Sequence, residues 1–163
     1  MLVVIFYLAL FGHSSDGDAL ARTAPAYLTP QQATLHVAAS EVAGRVYGIN
    51  PNLLLSIAHH ESRYQVATVT PELAGRSCGV MTPEPVRQCP APDLLGGYLA
   101  GAKHLAAWRD ACRADLRCML TGYAGGYRLL ELCGREHVRA CDTWRVFEAR
   151  AAWIARERDR SAS

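Results

Sequence analysis

Lysine is almost absent from this chain. Lys103 stands alone, and arginine supplies the rest of the 17 basic side chains. They are interleaved with 15 acidic residues, so the formal net charge is only +2. A charge this small and this dispersed leaves no electrostatic footprint for nucleic acid. It describes an ordinary solvated surface, with at most a mild attraction to an anionic polymer. No C-x2-C knuckle is present, and the cysteines are spaced too irregularly for a zinc finger. The His59-His60-Glu61 run lacks zincin spacing, because Tyr64 stands where H-E-x-x-H needs its second histidine. No metal or cofactor is expected. No apolar run reaches the ~20 residues a membrane span requires. No internal repeat and no second domain can be discerned.

A chain of 163 residues, half of them apolar, has enough material for one domain with a real core. Met1 to Gly12 is nearly all apolar and matches the core of a secretory signal peptide. Ala19-Leu20-Ala21 offers a small-x-small cleavage site, although no Lys or Arg precedes the apolar run. The expected organisation is an export signal over 1–21, a linker over 22–28 and a single domain over 29–160. The expected location is the periplasm or cell envelope. Six cysteines, Cys78, Cys89, Cys112, Cys118, Cys133 and Cys141, favour disulfides in an exported chain. Six allow 15 connectivities. Pairing the sequence-local neighbours, 78 with 89, 112 with 118 and 133 with 141, is the simplest.

Helical signals dominate the rest. Thr29, Pro30 and Gln32 form a capping box that opens a helix, with Leu35, Ala38, Val42 and Val46 expected as its apolar stripe. Gly48 closes it. Asn50-Pro51 opens a second helix. Residues 63–92 read as a long irregular region with a short strand at Gln65–Thr70. Asp93 opens a third helix reaching about Asp110, with Leu95, Tyr98, Ala102 and Leu105 on one face. A short helix is expected at Asp115–Thr121, broken by Gly122-Tyr123-Ala124-Gly125-Gly126. A last helix spans about Thr143 to Arg158, with Phe147, Ala151 and Ile154 inward.

Glu61 lies on the second helix in register with Leu54 and Ile57, at i, i+3 and i+7. Its carboxyl therefore sits on the stripe that faces the interior. Carboxylates rarely occupy such positions without a partner or a task. Apolar surroundings disfavour the charged form of a carboxyl, and a carboxyl kept protonated near neutral pH can act as a general acid. A salt bridge to a neighbour such as Arg63 is the bland alternative. Cysteine-nucleophile catalysis is disfavoured because each cysteine has a pairing partner.

The ordered motifs Glu61-Ser62-Arg63-Tyr64, Cys78-Gly79-Val80-Met81-Thr82 and Gly122-Tyr123-Ala124-Gly125-Gly126 resemble lytic transglycosylases of the soluble lytic transglycosylase type. That family carries E-S-x-F, G-L-M-Q and A-Y-N-A-G in the same order. The segment Asp93-Leu94-Leu95-Gly96-Gly97-Tyr98-Leu99 resembles its intervening helix. The resemblance spans about Leu28 to Arg128. It implies a mainly α, lysozyme-like fold of the goose-type kind in a single domain, here with a disulfide-braced irregular region. It implies that Glu61 is the catalytic acid/base and that Ser62 supports the site. It places Gly79, Val80, Met81 and Thr82 along a sugar groove, Tyr64 packed below, and the Tyr123 hydroxyl directed towards the glutamate. Thr82 stands where the family usually has glutamine, and Ala124 where it has asparagine. Met and Tyr at such positions are also commonly core residues.

The implied activity is cleavage of the β-1,4 bond between N-acetylmuramic acid and N-acetylglucosamine in peptidoglycan, with peptidoglycan glycan strands as partner. Only one carboxyl has a clear motif, whereas hydrolytic glycosidases use two. One carboxyl suffices if the muramic C6 hydroxyl attacks its own C1. A muramidase using Glu72, Glu84 or Asp93 to position water is one alternative. A non-catalytic wall-binding or secretion-accessory module is the other, with secretion or envelope machinery as a further partner.

Overall fold

The computed structural model describes residues 20–22, 28–72, 75–82 and 88–162. Most of the export signal, linker residues 23–27 and Glu84 lie outside them. The chain is mainly helical. The helices are α1 (Pro30–Tyr47), α2 (Pro51–Ser62), α3 (Leu94–Ala111), α4 (Leu116–Arg135) and α5 (Thr143–Ala162). Between α2 and α3 lies an antiparallel pair, β1 (Val69–Glu72) and β2 (Gly75–Cys78). Its register sets Val69 opposite Cys78 and Thr70 opposite Ser77. The strand expected at Gln65–Thr70 therefore lies further along and has a partner. A short 3-10 helix, Arg139–Asp142, leads into α5.

The helix boundaries follow from local chemistry. Thr29 caps α1 through its side chain, Gln32 returns the bond to the cap backbone, and Gly48 ends the helix with φ 65°. Asn50 and Asp93 cap α2 and α3 through their side chains. The helix expected at Asp115–Thr121 runs a few residues further, and the expected break falls at Gly125 and Gly126, which leave helical geometry. A second helical stretch then runs to Arg135, the two together being α4. The expected stripe of α1 is also corrected. Its buried face is Ala33, His36, Val37, Ser40, Ala43 and Gly44, and Val46 is exposed. Small and polar groups take this face because α1 packs closely against both α2 and α3.

Helix contacts run in a closed cycle: α1 on α3, α3 on α4, α4 on α5, α5 on α2 and α2 on α1. Leu54, Leu55, Ile57, Met81, Tyr98, Leu105, Leu120, Phe147 and Ile154 fill the interior. Leu20, from the segment read as an export signal, is buried in the same core. Polar ties fix the cycle. Ser56 donates to the Phe147 carbonyl at 2.7 Å, joining α2 to α5. Arg158 on α5 reaches Asn52 of α2 at 2.8 Å and Glu41 of α1 at 2.6 Å. Both members of the Arg158–Glu41 pair are partly shielded from water, so this tie is screened less than an exposed pair.

All three sequence-local disulfides form, with Cα–Cα separations of 5.7 Å for Cys78–Cys89, 5.7 Å for Cys112–Cys118 and 5.6 Å for Cys133–Cys141. Each bridges a chain reversal: β2 to the approach to α3, α3 to α4, and α4 to the 3-10 turn. Among the described residues no helix is long and apolar enough to cross a membrane.

Close packing of α3 on α4 requires Gly122. A Cβ there would lie 2.3 Å from the Trp108 ring. Gly134, on the same helix, has nothing within 4 Å of that position. Gly122→Ala is expected to destabilise by about 1–3 kcal/mol, lowering Tm by several degrees. Gly134→Ala is expected to leave Tm unchanged or raise it, because alanine is the better helix former. Thermal unfolding of the two variants checks both signs.

Candidate active site

The site is built on the C-terminal turn of α2. Leu54 and Ile57 are fully buried on its inner face, and Glu61 follows on the same face, half-buried. The helix stops at Ser62 because Arg63 and Tyr64 adopt left-handed geometry, with φ 55° and 68°. For non-glycine residues that conformation costs roughly 1–2 kcal/mol each. The reversal drives Tyr64 inward, where it is buried edge-on against His36 at 5.1 Å and His59 at 5.6 Å. This is the packed position expected of Tyr64.

The turn after β2 lies under this helix end. Gly79 takes φ 85°, and its N–H bonds the Thr68 carbonyl at 2.9 Å. Val80 and Met81 are fully buried. Ser62 donates to the Val80 carbonyl at 2.7 Å while also reaching Ala58 of its own helix at 3.0 Å. Tyr123 donates to the Met81 carbonyl at 2.6 Å. Two successive buried carbonyls are thus satisfied by hydroxyls from two different helices. On the far side, Gly101 of α3 admits Met81; a Cβ there would lie 2.5 Å from its sulfur.

Thr82 completes the turn. Its φ is 37°, another left-handed non-glycine residue, and its hydroxyl donates to Glu61 Oε2 at 2.8 Å. Among the described residues, left-handed non-glycine residues thus occur around Glu61 at Arg63, Tyr64 and Thr82, and otherwise at Arg113 and Ala114 between α3 and α4. Tyr123 lies close enough to feel that carboxylate. Its pKa is raised well above 10.0, first by burial and then by the Glu61 charge. It stays a neutral phenol, which is what donation to Met81 requires.

The structure therefore brings Glu61, Ser62, Gly79, Val80, Met81, Thr82 and Tyr123 together from three separate stretches of chain. The Tyr123 hydroxyl, expected to be directed towards the glutamate, donates to the Met81 carbonyl and lies within reach of the Glu61 charge. Asp93 does not join the cluster as a free carboxylate; it accepts from the Gly96 N–H at 3.0 Å as the cap of α3. Asp93 also lines a cavity of about 450 Å³ together with Gly79, Val66, Cys89, Pro90 and Ala100.

Sequence reasoning missed the groups packed behind the site. His36 shares a 3.0 Å hydrogen bond with the fully buried Tyr98. Burial lowers the His36 pKa to about 4 and raises that of Tyr98. His59 is also lowered to about 4, by burial and then by the charges of Arg150, Arg63 and His60. Arg63 Nη1 lies 3.0 Å from His59 Nδ1, so the ring nitrogen is an acceptor and the ring is neutral. A polar residue at an inward helix position was the available signal, as it was for Glu61. His104 and Trp108 on α3 were missed too. Trp108 donates to His104 Nε2 at 3.2 Å, and the His104 ring lies 5.3 Å from Tyr123.

The chain matches no known protein family profile, no curated protein and no solved structure.

The two depressed histidines set a pH dependence. Unfolded, they titrate near 6.5; folded, near 4. Between these values the unfolded chain binds more protons, so stability rises with pH across that window. Their contribution is complete above about pH 6.5 and lost as pH falls towards 4. Urea unfolding from pH 7 to pH 4 is expected to show this slope, and His36→Gln should make it shallower.

Proposed function

We propose that this protein is a peptidoglycan lytic transglycosylase with a lysozyme-like fold. The observation that carries the reading is a single half-buried carboxylate, Glu61, held by Thr82 at 2.8 Å over a turn locked by Ser62 and Tyr123. These are the three motifs that resemble the family, and they converge on one acid. Three disulfides fit an oxidising compartment, which supports export to the periplasm or envelope.

In this mechanism Glu61 begins protonated and delivers its proton to the oxygen linking C1 of N-acetylmuramic acid to the next N-acetylglucosamine. The C1–O bond breaks and an oxocarbenium-like centre develops. The Glu61 carboxylate then takes the proton of the muramic C6 hydroxyl, and that oxygen bonds to C1. Atoms balance without water, and Glu61 ends protonated again. The product is a 1,6-anhydro sugar. The positions of Thr82 and Tyr123 supply complementary constraints: Thr82 orients one carboxylate oxygen, and Tyr123 holds the turn that carries Thr82.

Asp93 accepts from the Gly96 N–H as the cap of α3, which favours a structural role for it over positioning water in a hydrolytic mechanism.

Glu61→Gln is expected to cut wall lysis by at least about 10²-fold, the scale of a lost general acid/base. A zymogram of wild type and variant reads this, and unchanged lysis would sink the assignment. Mass spectrometry of released muropeptides distinguishes the outcomes: anhydro ends support the transglycosylase, and products one water heavier indicate a muramidase. Thr82→Val should lower turnover roughly ten- to hundredfold, as expected for losing a hydrogen bond to a charged group. The same lost bond should lower Tm by a few degrees while leaving the variant folded at the assay temperature.

A further inference from the structure

A row of rings leads away from Glu61. Tyr123, which feels the Glu61 charge, lies 5.3 Å from the His104 ring. His104 stands 6.4 Å from Trp108, edge to face, and Trp108 stands 4.7 Å from Tyr127. The row ends in the open: Tyr127 is 73 % exposed, the most exposed large apolar side chain among the described residues.

Its geometry is prepared. Gly126 has φ 66° and ψ −166°, a conformation that is essentially restricted to glycine. Together with Gly125 it breaks α4 just before Tyr127, which then lies against Trp108 of α3. Trp108 is fixed in turn. Its indole N–H bonds His104, and its ring packs where any Cβ on Gly122 would collide. Tyr127 therefore packs at a tilt against a fixed ring while most of its surface stays open to solvent. An exposed single aromatic needs no explanation. One backed by a locked tryptophan, at the end of a row starting at the acid, is a different object.

Aromatic faces bind flat apolar surfaces at low entropic cost. The C–H face of a β-linked pyranose is such a surface. We propose that Tyr127, backed by Trp108 and His104, is a stacking platform for a sugar ring of the bound glycan, beyond the bond presented to Glu61. The substrate assignment rests on the function proposed above, but the platform makes its own prediction about binding.

The probe is the hexamer of N-acetylglucosamine, which has the glycan backbone and no stem peptide. Binding is read in a Glu61→Gln, Trp144→Phe, Trp153→Phe background, where Trp108 is the remaining tryptophan fluorophore. Adding the hexamer should change Trp108 emission. Tyr127→Ala should weaken binding about three- to tenfold, the scale of one aromatic stacking contact. Tyr127→Phe should restore it, because stacking does not need the hydroxyl. Equal affinity for the Tyr127→Ala and parent proteins, at matched Tm, would overturn the platform. So would no binding by the parent, or a Tyr127→Phe variant as weak as alanine. Lysis surviving Glu61→Gln would instead overturn the catalytic assignment while leaving this binding test intact.

Discussion

Two buried carbonyls govern the architecture around the acid. Val80 and Met81 occupy the interior, and a carbonyl buried without a partner costs roughly 1–3 kcal/mol. One partner is Ser62, next to Glu61 at the end of α2; the other is Tyr123, midway along α4. Satisfying both requires the helix end, the turn and α4 to stand in one mutual arrangement. Thr82 follows directly on Met81, so that arrangement also decides where its hydroxyl meets Glu61. The closed cycle of helices is the frame in which this is achieved. Arg158 and Ser56 hold α5 against α2.

Much of this was legible in the sequence where the controlling physics is local. Helix starts depend on one side chain bonding an amide two or three residues on. The caps at Thr29, Asn50 and Asp93 could therefore be read directly, and each forms. The inward placement of Glu61 follows from helical periodicity, and the disulfides follow from nearest-neighbour pairing.

What escaped depends on contacts distant in sequence. The buried face of α1 is small and polar because neighbouring helices approach it closely, and His36 is tolerated there only because Tyr98, 62 residues away, meets its ring. An apolar stripe cannot reveal such a face. The glycines of α4 do interrupt it, at Gly125 and Gly126, but Gly122 stays helical because Trp108 fills the space it leaves, a contact the sequence does not show; a second helical stretch follows Gly126. Strand pairing likewise depends on a partner strand, so β1 was placed too early. Arg158 looked like one more surface arginine; its task as a tie among three helices appears only when Glu41 and Asn52 are brought beside it.

The disulfides bear on how the chain acquires its shape. Their sequence separations are 11, 6 and 8 residues, so none links distant parts of the molecule. Each cysteine's native partner is also its nearest unpaired neighbour as the chain is threaded from its N-terminus. Wherever the chain is oxidised progressively from its N-terminus, the native set is favoured at each step, with little need to shuffle wrong pairs. The crosslinks can precede the helix cycle instead of waiting for it. Assembly of the cycle, and with it the alignment of Ser62, Tyr123 and Thr82 around Glu61, is then left to non-covalent packing acting on turns that are already closed.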